Sequence, residues 1–237
     1  LANRVLLMFK IMLIMLNLLV LSFPAWLYAA EEDLSSGQFE QWFDDDSSLY
    51  PLEDNINEGE LQFLTSPPDK RTPHSRNILT VTEQSLINGW VLVDQCHEQL
   101  DPLQAVEVAY RYKNMRNLQI IEAKNISKAW IEGDAIQLQD VSKNAKLCVQ
   151  LEAKILYDQA DGTFILRNGP FERKFLDGYF PMRVNLLISY PTGKLKFIKS
   201  QPQQAPGFDI AVSDGNIIIE SWFEGKLTIN IHFRIVI

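Results

Sequence analysis

The sequence predicts an all-β fold: an antiparallel β-sandwich, or two such sandwiches in tandem. Three observations carry that expectation. Apolar and polar residues alternate through most of the chain after Asn77. Glycine-containing turn pairs separate the alternating runs. No stretch of this body repeats its apolar residues at helical spacing.

The elements follow in order. Residues 1–30 read as a signal peptide. Arg4 and Lys10 form a basic start, Ile11 to Leu21 is apolar except for Asn17, Pro24 breaks the run, and Ala29-Ala30 precede Glu31. Met8 is as good a start as Leu1, and cleavage is expected near Glu31. An uncleaved membrane anchor is the alternative, because Ile11 to Ala30 has about the length that spans a bilayer. The expected location is periplasmic or secreted, in a bacterium, or N-terminally anchored with the body outside the cytoplasm.

Residues 31–75 read as an acidic segment and linker. Positions 31–64 hold eleven acids and no base. Like charges repel there, and the isolated Phe39, Trp42, Phe43 and Tyr50 offer little apolar surface to offset ordering entropy. Leu61 to Leu64 is expected as a short first strand. Pro67-Pro68 and Thr72-Pro73 mark the linker.

Residues 76–169 are expected to form a β-sandwich, and 170–237 a second β domain or a continuation of the first. Val106, Val108, Tyr110 and Tyr112 share one face. Leu147, Val149, Leu151, Ala153, Ile155 and Tyr157 form a longer one, opposite Gln150, Glu152 and Lys154. Val184, Leu186, Ile188 and Tyr190 repeat the pattern. The last run is the clearest: Leu227, Ile229, Ile231, Phe233, Ile235 and Ile237 against Thr228, Asn230, His232 and Arg234. Such alternation places one sheet face in a core and the other toward solvent. Gly133-Asp134, Asp161-Gly162, Asp177-Gly178, Asp214-Gly215 and Glu224-Gly225 supply turns. One helical turn is expected between Cys96 and Ala105. The last run is expected as an edge strand, open to pairing with a partner.

Cys96 and Cys148 are the only cysteines. In an exported chain they are expected to pair. Cys148 falls on the polar side of its run, so the bond should clip a sheet edge or surface.

Charge excludes one function class. Outside the acidic segment and the first thirty residues, twenty bases face nineteen acids. That balance gives no basic field for nucleic acid. Catalytic chemistry finds weak support. Cys96-His97-Glu98 with Asp101 is the densest reactive group, but neighbours on a strand point to opposite faces and a bonded Cys is no nucleophile. His97, Glu98 and Asp101 are the one set a metal could use, yet His74, His97 and His232 share no ligand spacing. A carboxylate pair such as Glu220 and Glu224 has nothing to distinguish it. Trp90, Trp130 and Trp222 are expected to pack in the core. No catalytic residue, cofactor or metal is assigned.

One stretch has the composition of a binding surface. Between Arg167 and Arg183, the cations Arg167, Arg173, Lys174 and Arg183 stand among Phe171, Phe175, Tyr179 and Phe180. Aromatics with arginine are enriched at interfaces. The expected partner is a cell-envelope protein or the chain's own acidic segment, with membrane contact only through the N-terminal run. The competing expectation is that the rings fill a seam between sheets. The sequence therefore points first to an exported, non-catalytic protein acting by protein–protein interaction. A carbohydrate- or small-ligand-binding module is the alternative, and a hydrolase the third.

Overall fold

The structure is a computed structural model that describes residues 57–175 and 178–236. The expected signal peptide, and the acidic segment up to residue 56, lie outside the described residues. Among these residues fifteen strands and one short helix follow in order. They are β1 (Gln62–Phe63), β2 (His74–Thr80), α1 (Glu83–Asn88), β3 (Trp90–Leu100), β4 (Ala105–Ala109), β5 (Met115–Glu132) and β6 (Ala135–Lys154). Then come β7 (Leu156–Asp158), β8 (Thr163–Phe171), β9 (Lys174–Phe175), β10 (Gly178–Tyr179) and β11 (Met182–Ser189). The last four are β12 (Leu195–Gln201), β13 (Phe208–Ser213), β14 (Asn216–Glu224) and β15 (Leu227–Ile235).

The fold is an antiparallel β-sandwich. Its wide sheet runs β1-β14-β11-β2-β3-β6-β4, with β13 on β14 and β5 on β6. Its narrow sheet runs β12-β15-β8-β7. Strands from before and after Gly169-Pro170 contribute to both sheets. One pair departs from the antiparallel rule: β2 and β11 run parallel, from Arg183 opposite His74 to Ser189 opposite Thr80.

The period-two pattern explains the layers. Leu147, Val149, Leu151 and Ala153 of β6 are buried, as are Val184, Leu186 and Ile188 of β11. Leu227, Ile229, Ile231 and Phe233 face them from β15 of the narrow sheet, in one continuous core. Full burial of each large apolar side chain contributes about 1.5–3 kcal/mol. At Ile155 the chain crosses from the wide sheet to the narrow one, since Arg167 N–H on β8 donates to the Ile155 carbonyl.

Three local expectations are corrected. Cys96 to Leu100 is strand, and the helix lies earlier, at α1. Thr82 caps it: its side chain accepts from Ser85 N–H while Ser85 Oγ accepts from Thr82 N–H, a reciprocal box. Gly89 ends it at φ 78°, where a Cβ would stand 2.7 Å from the Leu156 carbonyl oxygen. Second, β15 lies inside the narrow sheet, between β12 and β8, so the last run is no edge strand. Third, Trp90 and Trp222 are partly exposed and Trp130 is 37% exposed. Each ring lies under a cation rather than in the core: Arg116 over Trp90, Lys128 over Trp130 and Arg183 over Trp222.

Cys96 and Cys148 are disulfide-bonded, with Cα atoms 4.0 Å apart. They are directly opposed residues of β3 and β6 on the outer face. The expected edge or surface clip is corrected: Cys148 is only 7% exposed, and the bond joins two strands inside the sheet. Closing the 52-residue separation constrains the unfolded chain by about 4 kcal/mol on the chain-entropy model. Among the described residues, no helix is long and apolar enough to cross a membrane.

Candidate functional site at one end of the sandwich

The site begins with the parity of β3. Val91 and Val93 point inward and are buried; the next two inward positions are Gln95 and His97. Polar residues thus occupy the core side of this strand end. At Gln99 the backbone turns left-handed (φ 58°) and the register with β6 shifts between Glu98 and Leu100. This bulge returns Leu100 to the buried row.

These residues form one wall of a cavity of about 520 Å³. The opposite walls come from β4, the turn Tyr110 to Tyr112, and the segment Gly169 to Phe175 that ends β8. Gly169 is required there: its φ is 106°, and a Cβ would meet the Leu227 carbonyl oxygen at 2.6 Å. Leu103, Val106, Val108, Phe171 and Met182 supply apolar lining. The volume lies within the range of small-molecule pockets.

The polar accounting of the wall is unusual. Gln95 Oε1, His97 Nε2, Tyr110 OH and Glu172 Oε2 are shut from solvent and have no hydrogen-bond partner among the described residues, as have Asn77 Oδ1, Asn168 Nδ2 and Arg183 Nε elsewhere. Gln95 is 5% exposed and Tyr110 8%. Each buried polar atom left unpaired costs about 1–3 kcal/mol. Their partnered atoms show how tightly the side chains are held. Gln95 Nε2 donates to Ser75 Oγ at 3.1 Å. The other Glu172 oxygen pairs with Arg111. Tyr112 OH donates to Asn168 Oδ1 at 2.9 Å. Burial pushes the His97 imidazole down to about 4, so the ring is neutral near pH 7. Burial also pushes the Tyr110 and Tyr112 phenols up, so both remain protonated.

The Arg167 to Arg183 residues divide among several places. Phe171, Arg173, Lys174 and Phe175 line the cavity. Arg173 is held by Asp101 through two bonds, Nε to Oδ2 at 3.0 Å and Nη2 to Oδ1 at 2.8 Å. Its guanidinium also stands over Phe175 and Phe180, which meet edge-on at 5.4 Å. Tyr179 is buried, with Lys174 and Lys226 over its ring. Arg183 lies on the outer face of the wide sheet, 3.9 Å from Glu220. Arg167 lines a separate depression of the narrow sheet, with Tyr157 and His232.

The reactive cluster is also divided. His97 points inward, Cys96 and Glu98 outward, and Glu98 lies 3.6 Å from both His74 and Arg76. Among the described residues, no three His, Cys, Asp or Glu side chains gather as a metal site would require. Glu220 accepts from Asn185, and neither Glu220 nor Glu224 lines the end cavity. Gln95, Tyr110 and Glu172 belong to no motif. The one signal for them is parity: Gln95 and His97 continue the buried row begun by Val91 and Val93. No family model, no curated protein and no solved structure matches this chain.

Proposed function

We propose that the chain works outside the cytoplasm as a non-catalytic binding protein, and that the end cavity takes a small ligand. One observation carries this reading: a cavity of about 520 Å³ joins apolar lining from Val106, Val108, Phe171 and Met182 to the polar side chains of Gln95, His97 and Asp101. Apolar lining with a few polar groups is the usual make-up of a small-molecule pocket. The Cys96–Cys148 bond supports an oxidising compartment, and the basic and apolar order of residues 1–30 supports export to it. The test is a small-molecule screen on the full chain, read by amide chemical shifts. Ligands should move resonances in 95–112 and 169–175 and leave Ile218 and Glu220, on the outer face of β14, unmoved. Shifts confined to the outer face would overturn the cavity as the site.

A second reading keeps a protein partner. Among the described residues β5 pairs only with β6, which leaves its other edge open over the strand's 18 residues, and Ile121 on it is 60% exposed. An extended segment of an envelope protein could add to that edge as a further strand. Lys124 and Lys128 on the same strand oppose indiscriminate pairing. Placing Pro at an outward-bonded position of β5 should abolish capture of such a partner while the cavity stays intact. Unchanged capture would dismiss the edge.

A further inference from the structure

We propose that the outer face of the narrow sheet rests on a membrane surface that carries anionic lipid headgroups, independently of anything the end cavity binds.

The face follows from register. Directly opposed residues of neighbouring strands share one side of a sheet. Phe197, Phe233 and Phe164 oppose one another in one row, and Ser200, Ile231 and Leu166 in the next, and these rows pack toward the core. The alternate rows therefore point away from it. They are Lys196, Arg234 and Thr163; then Lys199, His232, Ile165 and Tyr157; then Gln201, Asn230 and Arg167. Lys196, Lys199, Arg234 and Arg167 are all exposed. β8, β12 and β15 contain no Asp or Glu. Among the described residues, none of these four cations forms an ion pair. Two acids border the face, Asp158 and Asp161, and each is taken up locally, by Ala160 N–H at 2.8 Å and by Thr163 N–H at 2.9 Å. The bonds to Thr163, and last Arg234, hold the Asp161 carboxyl below its ordinary value.

The outer face of the wide sheet is the opposite case. There Arg76 pairs with Glu98, Arg116 with Glu152, Lys146 with Glu122 and Arg183 with Glu220. The near balance of bases and acids in the body thus hides a one-sided field. A molecule polarised in this way is turned, as well as attracted, by a negative surface potential.

The layout favours a surface over a single anion. The four cations spread over three strands and three rows, about 10 Å by about 14 Å. A small anion is held by groups that converge on it, whereas a plane of headgroups meets all four at once. Apolar tips stand among the charges. Tyr157 is 42% exposed, as is Ile198, which lies in the β12 bulge between Phe197 and Lys199. A soluble acidic chain would satisfy the cations and leave those tips in water. The boundary between headgroups and acyl chains takes both.

The full chain is sedimented with phosphatidylcholine vesicles, and with the same vesicles containing phosphatidylglycerol, at low and high salt. Any affinity of the apolar run 11–30 for a bilayer is common to both, so the increment reports the charged face. Binding should rise with phosphatidylglycerol and fall as salt rises. Lys199→Gln and Arg234→Gln should each weaken the increment about fivefold, the share of one cation near a charged surface. Lys146→Ala, on the wide sheet, should leave it within about twofold. Spin-labelled phosphatidylglycerol headgroups should broaden amides of β8, β12 and β15 and spare Ile218 and Glu220. Near-ultraviolet circular dichroism confirms that each variant keeps its packing. Equal binding to the two vesicles overturns the proposal, as does an increment that neither Gln substitution changes, or broadening confined to other strands. If polyglutamate binds in solution and the same substitutions weaken it, while phosphatidylglycerol gives no increment, the face belongs to an acidic protein and the lipid surface falls. None of these outcomes touches the cavity, whose test is the small-molecule screen.

Discussion

The two faces of the wide sheet at β3 and β6 use similar side chains to opposite effect. On the outer face, Gln150 Nε2 donates to Asp94 at 2.7 Å, Arg116 and Asn117 hold Glu152, and Lys146 meets Glu122 at 2.7 Å. Water reaches these groups, so whatever the protein leaves unpaired, solvent completes. One residue along the strand, on the inner face, Gln95 Oε1 and His97 Nε2 reach no solvent and have no partner among the described residues. Polar side chains on an exposed face are ordinary. The same chemistry on the core side of a strand is destabilising. Substitutions on each face should separate stability from binding.

The largest effect belongs to the outer face. Replacing Cys96 and Cys148 together by Ala should lower unfolding free energy by about 4 kcal/mol in chemical denaturation. Ligand affinity at the cavity should be unchanged, because the bond and the cavity occupy opposite faces. A shared loss of stability and affinity would mean that the two faces are coupled.

The inner face should dominate the response to acid. Unfolded His97 titrates near its ordinary 6.5, whereas in the folded protein burial holds it down to about 4. Between those values the unfolded chain binds a proton that the folded chain does not. Stability should therefore fall as pH drops from 6.5 toward 4, then level off for this group. The total loss is about 3 kcal/mol. His97→Gln should remove that part of the slope, seen as a smaller difference between unfolding midpoints at pH 7 and pH 4.5. Equal slopes in both proteins would mean that His97 is charged, or solvated, when folded.

Alternation told most about the fold where burial is one-sided. Leu227, Ile229, Ile231 and Phe233 announced β15, because a half-buried strand writes its environment directly into the sequence. Which strands then become neighbours was not written there. β2 and β11 pair in parallel across more than half the described chain, and no turn chemistry specifies such a partner. For the same reason the final run looked like an edge but is flanked by β12 and β8. α1 was hidden by its length, since six residues give too few turns to show a period. Composition singled out Arg173, Phe171 and Phe175, which do reach the cavity. It also singled out Arg167 and Arg183, which share only sequence proximity with them. Gln95 was legible in principle, as a polar residue following Val91 and Val93 on the core side.

A smaller effect, opposite in sign, bears on the inner face. Tyr110→Phe removes a buried hydroxyl that has no partner while keeping the ring that packs 6.4 Å from Tyr112. Stability should rise by about 1 kcal/mol, seen as a higher denaturation midpoint with unchanged slope. A loss of stability would mean that the hydroxyl has a partner in solution, and that the inner face is as well satisfied as the outer.

The smallest effect completes the contrast. Lys146 of β6 and Glu122 of β5 meet diagonally, since Glu122 stands opposite Cys148 and Lys124 opposite Lys146, and both side chains are substantially exposed. The ion pair is short, and by distance alone it would rank among the strongest contacts of the sheet. Solvent screening and the entropy of fixing two long side chains cancel most of its Coulomb energy. Lys146→Ala should therefore cost less than about 0.5 kcal/mol at low ionic strength, and the difference should shrink further as salt rises. Denaturation at two salt concentrations measures it. A cost of 2 kcal/mol or more, on the order of that for a buried hydrogen-bonded charge, would show that β5 shields the pair. The outer face would then hold desolvated polar contacts of its own, and the contrast between the faces would reduce to the orphaned atoms of the cavity wall.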